Sequence, residues 1–426
     1  MTPPDPYLEA ATGIGRALGR AAVWDAAGRA CNWMGRSPAE ITQAGGPVTP
    51  TAAALGPDLS GGSTGVAWFL AELAAATGDP EFRRTALAAA ARSARHAERL
   101  AAGAFCGVSY YSGAVGLVYA LDRVAALTGE AGLADQVDAL LARAAAGAAE
   151  YHTLDVIGGN AGAIPALLAL SRDGRRPAAR DLAERLGEEL LRTALRQGAV
   201  WTWDSAVAAG PAVSASPLAG FAHGNAGLGL ALYELYAATG RAEYREGGRG
   251  AFAYEDTLFD PRAGNWPDLR PTGPVAVPGA APHFTTAWCH GAPGIALARA
   301  RAAELDPDFR DTHTAAARVA LATTRAALDA TGLLPRSDAT LCHGAGGLSE
   351  VLLTGGRLLG DTAFTDAARA AGRGLIDKYG KDGVWPGGTA TAGPNPSLML
   401  GTAGVGMHLL RLHDPHGVGS VLLITG

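Results

Sequence analysis

The sequence predicts an all-α fold, an α/α toroid (double α-barrel) of seven inner and seven outer helices. Three observations carry that expectation. One short glycine-led pattern occurs seven times, each copy opens an apolar run with helical spacing, and a more polar helical run follows most of them. The copies are GSTGVAWFLAEL from Gly62, GAVGLVYALDRV from Gly113, GNAGAIPALLAL from Gly159, GNAGLGLALYEL from Gly224, GAPGIALARARA from Gly291, GAGGLSEVLLTG from Gly344 and GTAGVGMHLLRL from Gly401. Their first glycines lie 46 to 67 residues apart, too far for bare helical hairpins, so each unit carries additional loop.

The first element is an amphipathic helix over residues 7–24 (YLEAATGIGRALGRAAVW), which precedes the first glycine-led run. After it, apolar and amphipathic runs alternate. The amphipathic ones, such as TGDPEFRRTALAAAARSARHAERL and LGDTAFTDAARAAGRGLIDKY, hold Arg and Glu on one face, as half-buried helices do. The glycine-led runs are apolar around more of their circumference, which places them inside a second layer. Paired in the order outer then inner, seven units close the ring. Irregular segments rich in Trp, Pro and Gly (ACNWMGRSP, VWTWDSA, GNWPDLRPTGP, DGVWPGGTATAGPNP) read as loops or short hairpins roofing one end. Nothing in the pattern divides the chain, and residues 1–426 are expected to form a single domain.

Composition narrows the function. With 35 Lys+Arg against 40 Asp+Glu, a net charge of -5 and no basic run, the chain has no electrostatic footprint for nucleic acid. It lacks a stretch of about 18 apolar residues that would span a bilayer, and its start does not resemble a signal peptide. A cytoplasmic protein is expected, with recruitment to a membrane-associated complex left open. Four cysteines (Cys31, Cys106, Cys289, Cys342) are too few for a disulfide scaffold, so functional ones should be thiols or metal ligands.

Aligning the copies on their first glycine exposes a column of chemistry. His223, His290 and His343 stand immediately before it in copies 4, 5 and 6, and Cys289 and Cys342 stand one residue earlier in copies 5 and 6. Inner helices that start at one end of a toroid bring these positions to a common mouth. Two thiols and an imidazole converging there suit zinc, and three protein ligands (Cys289, Cys342, His343) leave a tetrahedral position open for chemistry. Asp155 lies four residues before Gly159 at the same mouth, either as a loop cap or as an acid. His223 is either structural or a proton-transfer group. For copies 1, 2 and 7 close helix packing is reason enough for the glycines.

In that order, DVIGGNAG, AHGNAGLGLAL, WCHGAPGIAL and LCHGAGGLSEVLL on seven glycine-led helices resemble the lanthionine synthetase C-like family. The resemblance covers essentially the whole chain. It implies the toroid, one Zn²⁺ on Cys289, Cys342 and His343, and an acid/base pair at Asp155 and His223. The activity implied is Michael-type addition of peptide Cys thiols to dehydroalanine or dehydrobutyrine, giving (methyl)lanthionine rings. The substrate implied is a dehydrated precursor peptide, with a separate dehydratase supplying it. Two positions depart from some relatives: His290, a possible substrate-site residue, stands where some cyclases place Tyr, and Thr285 stands where some place Arg. The same residues would also serve a transferase adding glutathione or another small thiol to dehydrated residues, or a peptide-binding toroid without chemistry. A toroidal glycosidase is disfavoured because the glycine columns supply one carboxylate, Asp155, rather than a pair.

Overall fold

The computed structural model describes residues 5–36, 52–99, 107–148, 153–204, 217–270, 282–331, 338–388 and 395–425. Cys106 and parts of the four roofing segments lie outside them. Among the described residues fourteen α-helices run in chain order: α1 Pro6–Ala21, α2 Ser63–Thr77, α3 Pro80–Arg99, α4 Ala114–Thr128, α5 Ala131–Gly147, α6 Asn160–Leu170, α7 Pro177–Thr193, α8 Asn225–Thr239, α9 Ala242–Leu258, α10 Ala292–Leu305, α11 Arg310–Thr331, α12 Ala345–Leu358, α13 Thr362–Leu375 and α14 Thr402–His413. The even-numbered helices are the seven glycine-led runs. Each touches the next around a closed inner ring, with α14 returning to α2, and the odd-numbered helices pack outside them. Among the described residues three antiparallel strand pairs (β1 Val23–Trp24 with β2 Cys31–Asn32, β3 Met34–Arg36 with β4 Ala52–Ala54, β5 Leu195–Gln197 with β6 Val200–Thr202) decorate the ring. Among the described residues no helix is long and apolar enough to cross a membrane.

The hairpin order differs from the outer-then-inner expectation. Each inner helix packs on the outer helix that follows it, and α1 completes the ring by packing on α14. Short turns decide this. Inner helices α2, α4 and α8 end on Gly78, Gly129 and Gly240 with φ near 70°, a left-handed cap that reverses the chain within two or three residues. The loops from an outer helix to the next inner one are longer and build the mouth.

Those longer loops share one geometry. In six copies the first amide of the inner helix donates to the carbonyl seven residues earlier: Ser63 to Gly56 (2.8 Å), Ala114 to Gly107 (3.0 Å), Asn160 to Thr153 (3.0 Å), Asn225 to Leu218 (3.0 Å), Ala345 to Asp338 (2.9 Å) and Thr402 to Asn395 (2.8 Å). The bond satisfies one of the donors a helix start leaves open. The loop thereby folds against its own helix, and the second glycine of each pair is where it lands. A Cβ at Gly116 would sit 1.5 Å from the Tyr110 carbonyl oxygen, and the equivalent atoms at Gly65, Gly162, Gly227, Gly294, Gly347 and Gly404 would each come within 2.2 Å of a loop carbonyl. Close approach therefore explains the pairs in all seven copies, not only the first, second and last.

Neighbouring loops are tied to one another around the mouth. Ser60 N–H donates to Tyr111 O (2.9 Å), Val156 N–H to Ala222 O (3.0 Å), Ala222 N–H to Cys289 O (3.2 Å), Cys342 N–H to Met399 O (3.1 Å) and Met399 N–H to Ser60 O (3.1 Å). The Ser112 hydroxyl donates to Ile157 O (3.3 Å). Six of the seven junctions are closed this way. Beneath this rim the barrel is filled by the segment after α14. Val418, Val421, Leu422 and Leu423 are buried, the Tyr111 hydroxyl donates to Val421 O (2.8 Å), and the Trp288 indole N–H donates to Leu422 O (3.1 Å).

Between α12 and α14 lies a sealed polar cluster. His408 bridges Ser349 (2.8 Å) and Glu350 (3.1 Å), and Glu350 also meets Arg411 (2.7 Å) and Ser420 (2.8 Å). The Ser–His–Glu order imitates a nucleophile triad, but all three are fully buried and the Ser349 hydroxyl donates to Ala368 O (2.9 Å), so the cluster pairs charge inside the core.

The close-approach argument distinguishes glycines. Gly116→Ala should cost about 1–3 kcal/mol through overpacking, whereas Gly13→Ala, on exposed helix with nothing within 4 Å, should stabilise by about 0.5–1 kcal/mol. Urea unfolding of the two variants checks this, and equal effects would refute it.

Candidate active site

The rim bonds bring the loops before α6 and α8 into register, and with them Asp155 and His223. Asp155 Oδ1 accepts the Gly158 amide at 2.6 Å, which fixes the carboxylate, and Oδ2 meets His223 Nδ1 at 2.6 Å. Asp155 thus caps its own loop through one oxygen and holds His223 through the other. With Nδ1 committed to the carboxylate, the other ring nitrogen of His223 is the one left for a reactant; both side chains retain partial exposure. Glu255 on α9 supports the loop from below. Its Oε1 accepts the amides of Gly220 (3.0 Å) and Ala226 (2.8 Å), on either side of His223, while Oε2 has no partner among the described residues. Burial pushes this carboxyl up to about 8, against the pull of those two amides.

Across the mouth, Cys289 and Cys342 lie within hydrogen-bonding reach of each other. They stand at the seventh junction of the rim, where no backbone bond joins the loops among the described residues. The hydrogen bond from Cys342 draws the Cys289 thiol below its ordinary value, against burial, with the charges of His343, Arg270 and His223 adding to the effect. Giving that bond, together with burial, holds Cys342 well above the usual thiol range. His343 is next in the chain, but its Nε2 is turned toward Gly388 O (3.1 Å) and Asp338 (3.6 Å). Among the described residues no three His, Cys, Asp or Glu side chains stand at metal-ligating spacing.

The donor set nevertheless suits zinc. Two thiols lie near enough to shift each other's ionisation, and an adjacent imidazole has one nitrogen near an outer carbonyl and carboxylate, as zinc-bound histidines commonly do. A three-ligand set requires His343 to present its ring to the thiols.

His290 is buried, stacks on His223 with ring centroids 5.5 Å apart, and has no partner for Nε2 among the described residues. Burial, with the nearby Arg270 charge, lowers it to about 3, so it is neutral beside His223. Sequence reasoning missed the groups behind it. Arg270 forks onto Asp268 (2.9 and 2.6 Å), which also accepts the Thr285 hydroxyl (2.8 Å). Although burial acts to raise the Asp268 carboxyl, Arg270, Thr285 and His290 hold it well below the usual range. Arg270 thus brings a cation into the electrostatic field of both cysteines from a different segment than Thr285. Its signal was the GNWPDLR stretch, seen as roof but not as site. A cavity of about 720 Å³ opens elsewhere, between α1 and the turn at 376–385, and none of the candidate residues lines it.

The sequence model described as lanthionine synthetase C-like protein matches residues 53–423, and the chain belongs to that family. Among solved structures, nisin cyclase matches with a TM-score of 0.63 and 19% identity over 84% of this chain and 89% of that one, which shows a common fold. Weaker likenesses, to unsaturated glucuronyl hydrolase from Bacillus sp. GL1 (TM-score 0.40, 16% identity, 99% of each chain) and to a sugar epimerase from a ruminal bacterium (TM-score 0.40, 13% identity, 84% and 87%), bear no weight on function.

Glu255 generates a pH test. Its folded value lies above the ordinary carboxyl value, so its contribution to stability is full below about 4.5 and is lost as pH rises through about 8. Glu255→Gln keeps the amide-accepting oxygen and removes the ionisation. The melting temperature of the variant should therefore gain on wild type between pH 5 and 8; a constant difference across that range would contradict the assignment.

Proposed function

We propose that this chain is a zinc-dependent lanthipeptide cyclase, joining peptide Cys thiols to dehydroalanine or dehydrobutyrine as (methyl)lanthionine. The observation that supports this most directly is the convergence, at one mouth of a family toroid, of the Cys289–Cys342 pair with the Asp155–His223 dyad. Cys289, Cys342 and His343 are the residues that would hold zinc, which when bound supplies the charge that keeps a substrate thiol deprotonated at neutral pH.

The remaining work falls to the protein's own side chains. As the substrate sulfur adds to the β-carbon, the C–S bond forms, the carbon–carbon π bond breaks, and its electrons pass toward the carbonyl oxygen as an enolate. His223 then delivers a proton to the α-carbon, which balances the proton the thiol gave up. Asp155 holds the ring by Nδ1 and stabilises it while protonated. His290, neutral and stacked on the other side, fixes the ring plane without repelling its charge. Arg270 adds positive charge to the field of Cys289 and Cys342, where anionic sulfur would be favoured. The dehydrated residues must come from a dehydratase acting beforehand.

Cyclisation leaves the mass of a dehydrated peptide unchanged, whereas transfer of glutathione adds the mass of the thiol, so mass spectrometry after blocking residual thiols separates the two activities. Cys289→Ala and Cys342→Ala should lose zinc and cyclisation together. His223→Ala should keep zinc by elemental analysis while turnover falls about 10²-fold or more. Full zinc in the Cys variants would remove the ligand assignment, and wild-type zinc without ring formation on any dehydrated peptide would leave a binding role.

A further inference from the structure

One of the seven loops departs from the shared geometry, and it is the loop that carries Cys289 and His290. Six inner helices receive their first amide bond from the carbonyl seven residues back. In the fifth copy that pair is Ala292 and Thr285, and the direct bond is replaced by a side chain. Asn265 inserts its amide between them: Oδ1 accepts the Ala292 N–H at 2.7 Å, and Nδ2 donates to Thr285 O at 3.3 Å and to Thr286 Oγ1 at 3.3 Å. Oδ1 also accepts the Trp266 N–H at 2.8 Å, so all the polar atoms of this buried side chain are engaged.

The splice widens the loop by one amide group, and the backbone records it. The glycine that opens the helix has φ between -93° and -142° in the other six copies, but Gly291 has φ 80° and ψ -160°. That region is open essentially to glycine alone, and residues held there by their surroundings concentrate at functional sites. Inside the widened loop, Ala287 and His290 bond each other in both directions at 3.1 Å, which makes a tight turn with Trp288 and Cys289 at its tip.

We propose that Asn265 is a positioning residue for Cys289: its amide, acting with the Gly291 backbone, sets the turn that turns this thiol toward Cys342. The assignment rests on Cys289 being a site thiol, as in the reading above. An ordinary seven-residue loop would satisfy the helix equally well, so stability alone does not account for the insertion.

The test uses the whole protein with Asn265→Ala, Asn265→Asp, Gly291→Ala and the double variant Asn265→Asp/Gly291→Ala. Hydrogen exchange comes first, because it needs neither metal nor substrate. The Ala292 amide should exchange at least about tenfold faster in Asn265→Ala and stay protected in Asn265→Asp, which keeps an acceptor oxygen. Cobalt(II) binding follows, read by its thiolate charge-transfer band. Affinity should fall about 10–100-fold in Asn265→Asp, and the double variant should lose little more than either single one, since both act through one turn. In the cyclase assay kcat should fall with KM for the peptide little changed. Altered exchange with wild-type cobalt affinity and kcat, or fully additive losses, would overturn the proposal. A wild type that gives no thiolate band would instead remove the metal reading of the site; iodoacetamide labelling then decides, because Asn265→Asp must change the rate at Cys289 while leaving Cys342 within twofold.

Discussion

Everything at the mouth of this toroid depends on how an inner helix begins. A helix start exposes amides that must find acceptors, and here the chain supplies one by laying the preceding loop back against its own helix. That choice demands glycine where the loop carbonyl lands, as at Gly116 and Gly162, and it delivers the two or three residues before the helix to a fixed place on the rim. Because the loops also bond one another, from Ser60 to Tyr111 and from Ala222 to Cys289, side chains far apart in sequence arrive with little freedom left. Asp155 and His223 meet at 2.6 Å because their backbones are already joined through Val156 and Ala222.

This is also why so much was legible from sequence. The glycine pairs are a local consequence of the loop geometry, and any residue at a constant offset from them must reach the same rim. Asp155, His223, Cys289, His290, Cys342 and His343 could therefore be grouped without coordinates. Groups that reach the rim from elsewhere carry no such offset. Asn265, Asp268 and Arg270 come from the segment after α9, Glu255 from the body of that helix, and Leu422 from beyond α14. Their contacts are set by tertiary packing, which leaves no period in the chain. Hairpin order is hidden for a related reason: helical spacing shows that two layers alternate, but only the lengths of the connections say which helix pairs with which.

The electrostatics of the site follow from its half-open position. Groups facing inward lose their charge, as His290 and Glu255 do by burial, while Asp268 keeps its charge only because Arg270 and Thr285 enclose it. His223 thus sits between a neutral ring and a fixed carboxylate, and Arg270 adds positive charge to the field of both thiols. That positive charge favours anionic over neutral sulfur.

Closing a ring through its first and last helices has a consequence for how the molecule is made. α1 finds its main partner in α14, nearly four hundred residues further along the chain, and the barrel is filled by Val418 to Leu423. During synthesis the early hairpins emerge with one apolar flank uncovered, and no local rearrangement can cover it. The helices form early and locally, but the rim, and with it the thiol pair, is assembled only when the last repeat and the segment behind it arrive. Such long-range closure makes folding slow relative to helix formation and leaves an apolar, partly closed arc as the species most prone to associate with other chains.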